Sequence, residues 1–218
     1  MNYPRFARFV LFALLMPLSS LSFASESYGR EGTWTVRGWA GVVCRCVEDD
    51  NVTFTDPTFG TVALEVDGSS WGLGVDFERR FNNRLGLDFA LGYTQADVDF
   101  SHSVGSGVQT DSLGILPVWF ALNIHLWETE KLDFYVGPQV AYVFYLDDLS
   151  FNVPGTGTYE FPTGNEFPSW GFNLGADYWV NKDWALNFNF RFVDSDADSE
   201  HDLPVDPTFI TVGFTRHF

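Results

Sequence analysis

Residues 184–192 read WALNFNFRF, and large apolar side chains alternate there with small or polar ones at every step. A period of two is that of a β-strand, because a helix would scatter the aromatic side chains around its circumference. The stretch therefore predicts an extended strand with one strongly apolar face. The residues of that face are Trp184, Leu186, Phe188, Phe190 and Phe192.

The same alternation occurs in seven other segments, so the sequence predicts eight strands. One of these segments, TVGFTRHF (211–218), carries the alternation to the final phenylalanine. The apolar rows of the seven segments run through residues 34–42, 71–77, 85–93, 116–126, 132–146, 172–180 and 210–218.

The predicted connections alternate in length. Short turns fall at 81–84, 128–131 and 181–183, and long links at 44–69, 97–111, 147–167 and 194–206. Short turns at one end and long loops at the other are typical of outer-membrane barrels, whose strands cross the bilayer with about 9 to 11 residues each. The predicted fold is all-β, an eight-stranded antiparallel up-and-down transmembrane β-barrel with long acidic loops outside the cell.

The strands of a soluble sandwich or a lipocalin-like barrel also have alternating apolar and polar residues, but their apolar rows would face inwards. The opposite rows of this chain are small and polar, which suits the crowded interior of a narrow barrel better than a surface. The apolar rows are therefore predicted to face lipid. The small residues that support this argument are Gly72, Gly74, Gly86, Ala90, Gly92, Gly137, Gly175 and Gly213.

The first 24 residues, MNYPRFARFVLFALLMPLSSLSFA, have the features of a secretory signal peptide: two arginines, an apolar stretch and small residues at the exit. The apolar stretch is shorter than the about 20 residues of a membrane-spanning helix. The predicted domains are a signal peptide (1–24) and a barrel (25–218) in the outer membrane of a Gram-negative bacterium. Cleavage leaves ten basic against 29 acidic side chains, which argues against nucleic acid as a partner.

The inward rows predict a lumen with two different halves. Near the short turns the inward side chains are mostly charged, and near the long loops they are mostly apolar. The predicted charged plug comprises Arg37, Asp76, Glu78, Arg80, Asp88, His125, Asp133 and Asp177, with His217 at the same end. The predicted apolar lining comprises Trp39, Val43, Pro117, Trp119, Tyr135, Val143, Tyr145, Val193 and Phe209, with Arg191 as a charged exception.

Two interpretations of this lumen are open at this stage. An eight-stranded barrel has an interior that side chains simply fill, and its buried charges must then pair. Alternatively, an apolar mouth above a polar plug admits a small apolar molecule from outside and forces it to leave sideways through the wall. The first interpretation predicts a structural or adhesive barrel of the OmpA and OmpX type, and the second a narrow hydrophobic channel.

Three stretches resemble the OmpW family of small outer-membrane barrels. They are LPVWFALNIHLW (116–127) with FYVGPQVAYVFY (134–145), WGFNLGADYWVNKDWALNFNFRFVDSD (170–196) and VDPTFITVGFTRHF (205–218). Together they cover about the C-terminal half of the mature chain. The resemblance implies a hydrophobic channel with lateral release of small apolar compounds into the outer membrane. Pro117 matches the family's Leu-Pro motif, where a missing amide weakens the wall.

The chain terminus also resembles a known signal. A final aromatic residue in register with the lipid-facing row, here Phe218, resembles the C-terminal signal that the barrel-assembly machinery reads in outer-membrane proteins. Arg216 shares that row, where an aromatic residue is more usual, and its long side chain can reach the headgroups. The resemblance thus implies the assembly machinery as a partner, besides outer-membrane lipid.

Acidic runs at 48–50 and 194–202 suggest a second kind of partner. Their carboxylates predict a solvated acidic rim, and divalent cations could bridge that rim to lipopolysaccharide. The run at 194–202 lacks the glycine and glutamate positions of an EF-hand. Cys44 and Cys46 are interpreted as a pair at the loop rim with no role, or less plausibly as a metal or redox site, since a disulfide between them requires a local turn.

No residue pattern in the sequence points to a cofactor, and we expect no enzymatic activity. The stretch SHS (101–103) places a histidine between two serines near the outer rim. A catalytic triad needs its nucleophile, base and orienting group within hydrogen-bond reach, and three neighbouring loop residues do not show this.

Overall fold

The computed structural model describes residues 30–44, 51–58, 60–66, 68–103, 108–153, 155, 157–161, 166–194 and 207–218. The predicted signal peptide, most of the acidic run at 194–202 and the run at 48–50 lie outside these residues. All regular structure in the described part is β-strand, and no helix there is long and apolar enough to cross a membrane.

The chain forms twelve strands in the described part. They are β1 (Trp34–Cys44), β2 (Asn51–Asp56), β3 (Gly60–Val66), β4 (Ser69–Arg80), β5 (Leu85–His102), β6 (Val108–Glu128), β7 (Leu132–Tyr145), β8 (Leu149–Val153), β9 (Gly157–Phe161), β10 (Glu166–Trp179), β11 (Trp184–Asp194) and β12 (Thr208–His217).

Eight of these strands close into a barrel in which every neighbouring pair is antiparallel. The order around the wall is β1-β4-β5-β6-β7-β10-β11-β12, and β12 pairs again with β1. The closing ladder runs from Thr35↔His217 to Cys44↔Thr208. The eight-stranded antiparallel barrel predicted from the alternating pattern is therefore confirmed.

The predicted apolar rows face outwards, except that Phe192 at the end of the β11 row is buried. Phe89, Phe120 and Phe188 are exposed on the outer wall, whereas the residues next to them in sequence point into the lumen and are buried. Tryptophans occur on the outer wall towards both ends, with Trp71 and Trp170 near the long connections and Trp34 and Trp184 near the short turns. Such aromatic girdles mark the two membrane interfaces of a transmembrane barrel.

The long connections are more ordered than the sequence predicted. Residues 97–111, predicted as a loop, largely continue β5 and β6, which pair from Thr94↔Ile115 to Ser101↔Val108. The link 44–69 contains β2 and β3, and β3 pairs with the end of β5. The link 147–167 contains the β8–β9 hairpin. We call β2, β3, β8, β9 and the outer parts of β5 and β6 (94–102 and 108–115) the cap.

The sequence pattern did not predict the cap because the apolar residues of β5 change from the odd-numbered to the even-numbered positions part-way along the strand. The direction in which each set of side chains points does not change. Up to Tyr93 the odd-numbered side chains are apolar and exposed; beyond it Asp97 and Asp99 take that face. The even-numbered side chains Val98 and Phe100 are fully buried. The same side of the strand therefore faces lipid below Tyr93 and water above it, and the reversal locates the outer edge of the hydrocarbon layer.

The cap has its own apolar core, formed between the β3–β5–β6 sheet and the β8–β9 hairpin. The rings of Phe100 and Phe151 stack with their centroids 4.4 Å apart. The remaining buried members are Val62, Leu64, Val66, Ala96, Val98, Leu113, Ile115, Val143, Tyr145, Leu149 and Val153.

Cys44, the last residue of β1, is disulfide-bonded. A disulfide-bonded sulfur is not available as a thiolate ligand, so the alternative of a metal site at the two cysteines is wrong. The chain has one other cysteine, Cys46, which lies outside the described residues.

Candidate functional site

The upper lumen is occupied by three aromatic side chains from three strands. The Trp119 ring lies edge-on to Phe209, with the centroids 5.0 Å apart, and Trp39 lies 6.1 Å from Trp119 and 6.2 Å from Phe209. All three side chains are buried and pack with aliphatic neighbours. These neighbours are Val43, Ala90, Ala141 and Val193, and we call the seven residues the upper cluster.

Glycines on the facing strands make room for these indoles. A Cβ on Gly92 would lie 2.7 Å from the Trp119 ring, and a Cβ on Gly74 would overlap the Trp39 ring. The glycine rows seen in the sequence are therefore required by tight packing inside the barrel.

The nine side chains predicted to line an apolar channel are all buried, but they lie in four different surroundings. Five belong to the upper cluster, and Val143 and Tyr145 belong to the apolar core of the cap. Pro117 is buried in β6. Tyr135 lies lower, where its hydroxyl accepts hydrogen bonds of 3.1 Å from Asn187 and Asn189. Tyr135 is thus surrounded by polar groups, unlike the rest of the predicted lining.

Arg37 is the centre of the charged lower lumen. Its guanidinium bonds to Glu78 and donates to Asp177 at 3.1 Å, and it lies 4.9 Å over the Tyr135 ring. Asp177 also accepts from Thr215 at 2.7 Å and from Asn187 at 2.8 Å. Every one of these side chains is buried, so the charges are compensated by partners and not by water.

His125 lies between two carboxylates. Its Nε2 is 2.7 Å from Glu78 and its Nδ1 is 2.8 Å from Asp133. The Arg80 guanidinium also contacts Nδ1, so charged side chains surround both ring nitrogens. Asp133 also pairs with Arg80, which lies 3.2 Å from Glu128.

Arg191 connects the charged and the apolar halves. It donates to Asp76 at 2.6 Å and to Asp88 at 2.9 Å, and its guanidinium lies 5.3 Å from the Trp119 ring. The sequence placed Arg191 as an exception among apolar residues. The structure instead makes it the upper member of the charged network, because its long side chain reaches carboxylates on β4 and β5.

Two members of the network were missed by sequence reasoning. Arg30 precedes the first strand and donates to Glu128 at 3.0 Å and to the Glu130 carbonyl at 3.1 Å. Burial lowers the pKa of the Arg30 guanidinium, and the nearby Glu128 offsets part of this effect. The period-two pattern could not identify either residue as part of the lumen, since Arg30 lies outside the strands and Glu128 at the end of β6.

The wall of the barrel is interrupted next to the upper cluster. The β5–β6 ladder runs up to Leu91↔Val118 and resumes at Thr94↔Ile115 in the same register. Pro117 lies in the interruption and has no amide to donate to the ladder. Trp119 lies directly behind this point, against Gly92.

The described part of the chain has no candidate metal cluster, and the stretch SHS lies in and next to β5 of the cap. No group of three or more His, Cys, Asp or Glu side chains there could hold a metal ion. Residues 101–103 have structural contacts in the cap: His102 packs on Phe100 with the ring centroids 5.6 Å apart, and the Ser103 Oγ accepts from the Thr61 amide at 2.9 Å.

A closed eight-stranded wall with an apolar outer surface, two aromatic girdles and a buried polar interior defines a transmembrane β-barrel of the outer membrane. The chain belongs to the family described as Outer membrane protein beta-barrel domain, which matches residues 10–218. This family places the protein in the outer membrane of a Gram-negative bacterium. In outer-membrane barrels the short turns generally face the periplasm.

The relatives are barrels of the OmpW type, so the resemblance found in the sequence is confirmed. Outer membrane protein W of Salmonella typhi is 27% identical over 149 residues, covering 62% of this chain and 69% of the relative. The structure of OprG from Pseudomonas aeruginosa has a TM-score of 0.63 at 18% identity, covering 87% of this chain and 97% of OprG. The AlkL structure, determined in lipid bilayers, has a TM-score of 0.51 at 18% identity, covering 90% and 95%. These relatives are outer-membrane barrel proteins.

Proposed function

We propose that this barrel takes up small apolar molecules from outside the cell and releases them sideways into the outer membrane. The observation that carries the proposal is the division of the interior. Apolar side chains extend from the cap to the Trp39–Trp119–Phe209 group, and a paired charge network fills the lumen below them. An apolar molecule entering from outside would find favourable contacts only down to Trp39, because the charged groups would lose their partners if it went further.

The interruption of the β5–β6 ladder supports a sideways exit. It lies beside Trp119, at the level where the apolar interior ends. Rotation of the Trp119 indole would open the space between Gly92 and Pro117 without breaking a backbone hydrogen bond at the proline. An apolar molecule would then pass from the upper cluster into hydrocarbon without crossing the charged network.

The test is uptake of a panel of hydrophobic compounds by cells that contain or lack the protein. Val143 is buried in the cap core and lies opposite Pro117 on the neighbouring strand, so we compare Val143→Thr, which adds a hydroxyl at nearly constant shape, with Val143→Ala, which keeps the path apolar and widens it. We expect uptake to fall in Val143→Thr and to be kept in Val143→Ala. Equal uptake in all cells, including those without the protein, would contradict the proposal.

A structural or adhesive barrel is the second candidate. The complete burial of Trp119, Val193 and Phe209 favours it, because the upper cluster then leaves no room for a ligand unless side chains move. Titration with small apolar compounds separates the two functions. A transport barrel would show quenching of tryptophan fluorescence that is lost in Trp119→Phe, whereas a filled barrel would show none.

We further propose two partners for the surface of the protein. The exposed face of the cap carries Asp97 and Asp99, and Glu65 lies directly opposite Asp99. Like charges in this position destabilise a sheet, and divalent cations shared with lipopolysaccharide phosphates would relieve that repulsion. Phe218, exposed in the periplasmic girdle, is the proposed signal for the assembly machinery. Chelation that leaves cap stability unchanged in lipopolysaccharide bilayers would rule out the cation bridge.

A further inference from the structure

A cavity of about 390 Å³ opens at the periplasmic mouth of the barrel. It lies between the β6–β7 turn, which contributes Glu130 and Lys131, and the β10–β11 turn, which contributes Asn181, Lys182 and Asp183. Arg30, Trp179, Val180 and His217 complete its lining. Arg30 belongs both to the charged network, through Glu128, and to the lining, so the cavity adjoins the end of the network.

The lining concentrates positive charge in a strongly acidic protein. Lys131 and Lys182 are the only lysines of a chain that has a formal net charge of −17, and they approach the cavity from different turns. Both are exposed, and neither ammonium group forms an ion pair with any residue the structure describes.

Arg30 supplies a third positive charge that is held in place. Its guanidinium is fixed by Glu128 and by the Glu130 carbonyl, and it stacks 4.2 Å from the Trp179 ring. The side chain of Glu130 and that of Asp183 also line the cavity, and the His217 Nε2 is paired with Thr33 Oγ1 at 2.8 Å. Glu128 already pairs with Arg30, so the cations of the lining for which the described residues provide no ion-pair partner are Lys131 and Lys182.

We propose that this cavity binds a phosphate-type oxyanion. A fixed guanidinium with two mobile ammonium groups matches the several oxygens of a phosphate, because arginine presents a planar set of donors and lysine adds adaptable point charges. The anion compensates the two lysine charges, for which the described protein offers no ion-pair partner.

Two sources supply this chemistry at the periplasmic mouth. One is a soluble phosphate in the periplasm, and the other is the headgroup phosphate of an anionic phospholipid of the inner leaflet. The surrounding rim suits a lipid headgroup: Arg79 lies 5.3 Å over the Trp34 ring, and Arg216 lies 5.3 Å from the Trp184 ring. Both guanidinium groups thus lie at the interfacial aromatic girdle, where lipid phosphates are found.

The test measures how the full barrel binds two ligands, inorganic phosphate and an anionic phospholipid. Inorganic phosphate is titrated against the detergent-solubilised protein at constant ionic strength, and retention of phosphatidylglycerol over phosphatidylcholine is measured by native mass spectrometry after extraction from mixed vesicles. Lys131→Gln and Lys182→Gln are expected to weaken binding roughly fivefold each. Arg84→Gln is the matched control, because it removes the same charge from the β4–β5 turn on the same rim, outside the cavity.

Phosphate binding that both lysine variants weaken and the control leaves unchanged supports the site with a soluble anion as its source. Selective loss of phosphatidylglycerol in the lysine variants supports the site with a lipid source. If neither probe binds, or if Arg84→Gln weakens binding as much as the lysine variants do, the cavity is not an oxyanion site and the charge acts only as a diffuse rim. None of these outcomes depends on uptake of apolar molecules.

Discussion

The indole N–H of Trp39 donates a hydrogen bond of 2.6 Å to the carboxylate of Asp76. This bond joins the two halves of the lumen, because the Trp39 ring packs in the upper cluster and Asp76 is held by Arg191 in the charged network. The apolar and charged halves thus meet through direct side-chain contacts, this bond and the approach of Arg191 to the Trp119 ring.

Replacing Trp39 with phenylalanine should destabilise the barrel by about 1–3 kcal/mol, because a buried carboxylate oxygen loses its donor. The measurement is urea unfolding in lipid vesicles, followed by tryptophan fluorescence. Trp71→Phe is the control: Trp71 is 76% exposed on the outer wall, and its replacement should change stability much less. Equal losses of stability in the two variants would show that the hydrogen bond to Asp76 contributes little to the free energy of unfolding.

Replacing Arg37 should lower the stability of the barrel more than replacing a basic residue on the outer wall. Arg37→Met leaves Glu78 and Asp177 buried next to each other without their shared partner, and breaking a buried pair in this way costs about 3–5 kcal/mol. Arg79→Met removes a cation that stacks on Trp34 at the outer wall, which is worth about 0.5–1 kcal/mol. The folded and unfolded fractions on cold and heated denaturing gels give the comparison. A similar loss in both variants would mean that the lumen charges are hydrated, contrary to the structure.

Gly92→Ala should disturb the upper cluster, because the new methyl group would lie 2.7 Å from the Trp119 ring. We expect a cost of about 1–3 kcal/mol from overpacking, together with a displaced indole. Gly38→Ala is the matched control, since a Cβ at Gly38 meets nothing within 4 Å. The indole resonance of Trp119 in detergent-solubilised protein reports the displacement. An unmoved resonance in Gly92→Ala would indicate that the indole is already free to move aside.

Phe100→Ala should loosen the cap and leave the barrel intact. Phe100 is fully buried and stacks on Phe151, and deleting a buried phenylalanine side chain costs about 3–5 kcal/mol. Limited proteolysis of the protein in vesicles should then cut within residues 51–66 or 149–161 while the barrel core resists. Gln95→Ala, at an exposed position of the same strand, should remain uncut. Loss of barrel resistance in Phe100→Ala would show that cap and barrel unfold as one unit.

The alternating rows of residues such as Phe89, Phe120 and Phe188 were sufficient to predict the barrel. Successive side chains of a barrel strand point alternately to the lipid and to the lumen. The outward residues are therefore apolar, and the inward residues are those that fit the filled lumen. The same argument located the two halves of the lumen, since inward residues need only be counted along each strand. It failed for the cap, because the outward face of β5 changes solvent at Tyr93 and the apolar row moves to the inward face.

The sequence by itself determined that the chain forms an eight-stranded membrane barrel with a charged lower and an apolar upper interior, because these properties depend on local periodicity. Only the tertiary structure decided which charges meet: that Arg191 reaches Asp76 and Asp88, that Arg30 joins the network from outside the strands, and that both lysines converge on one cavity. Such contacts depend on the stagger between strands that are distant in sequence, and on the reach of long side chains across a closed barrel. Periodicity along one strand carries no information about either.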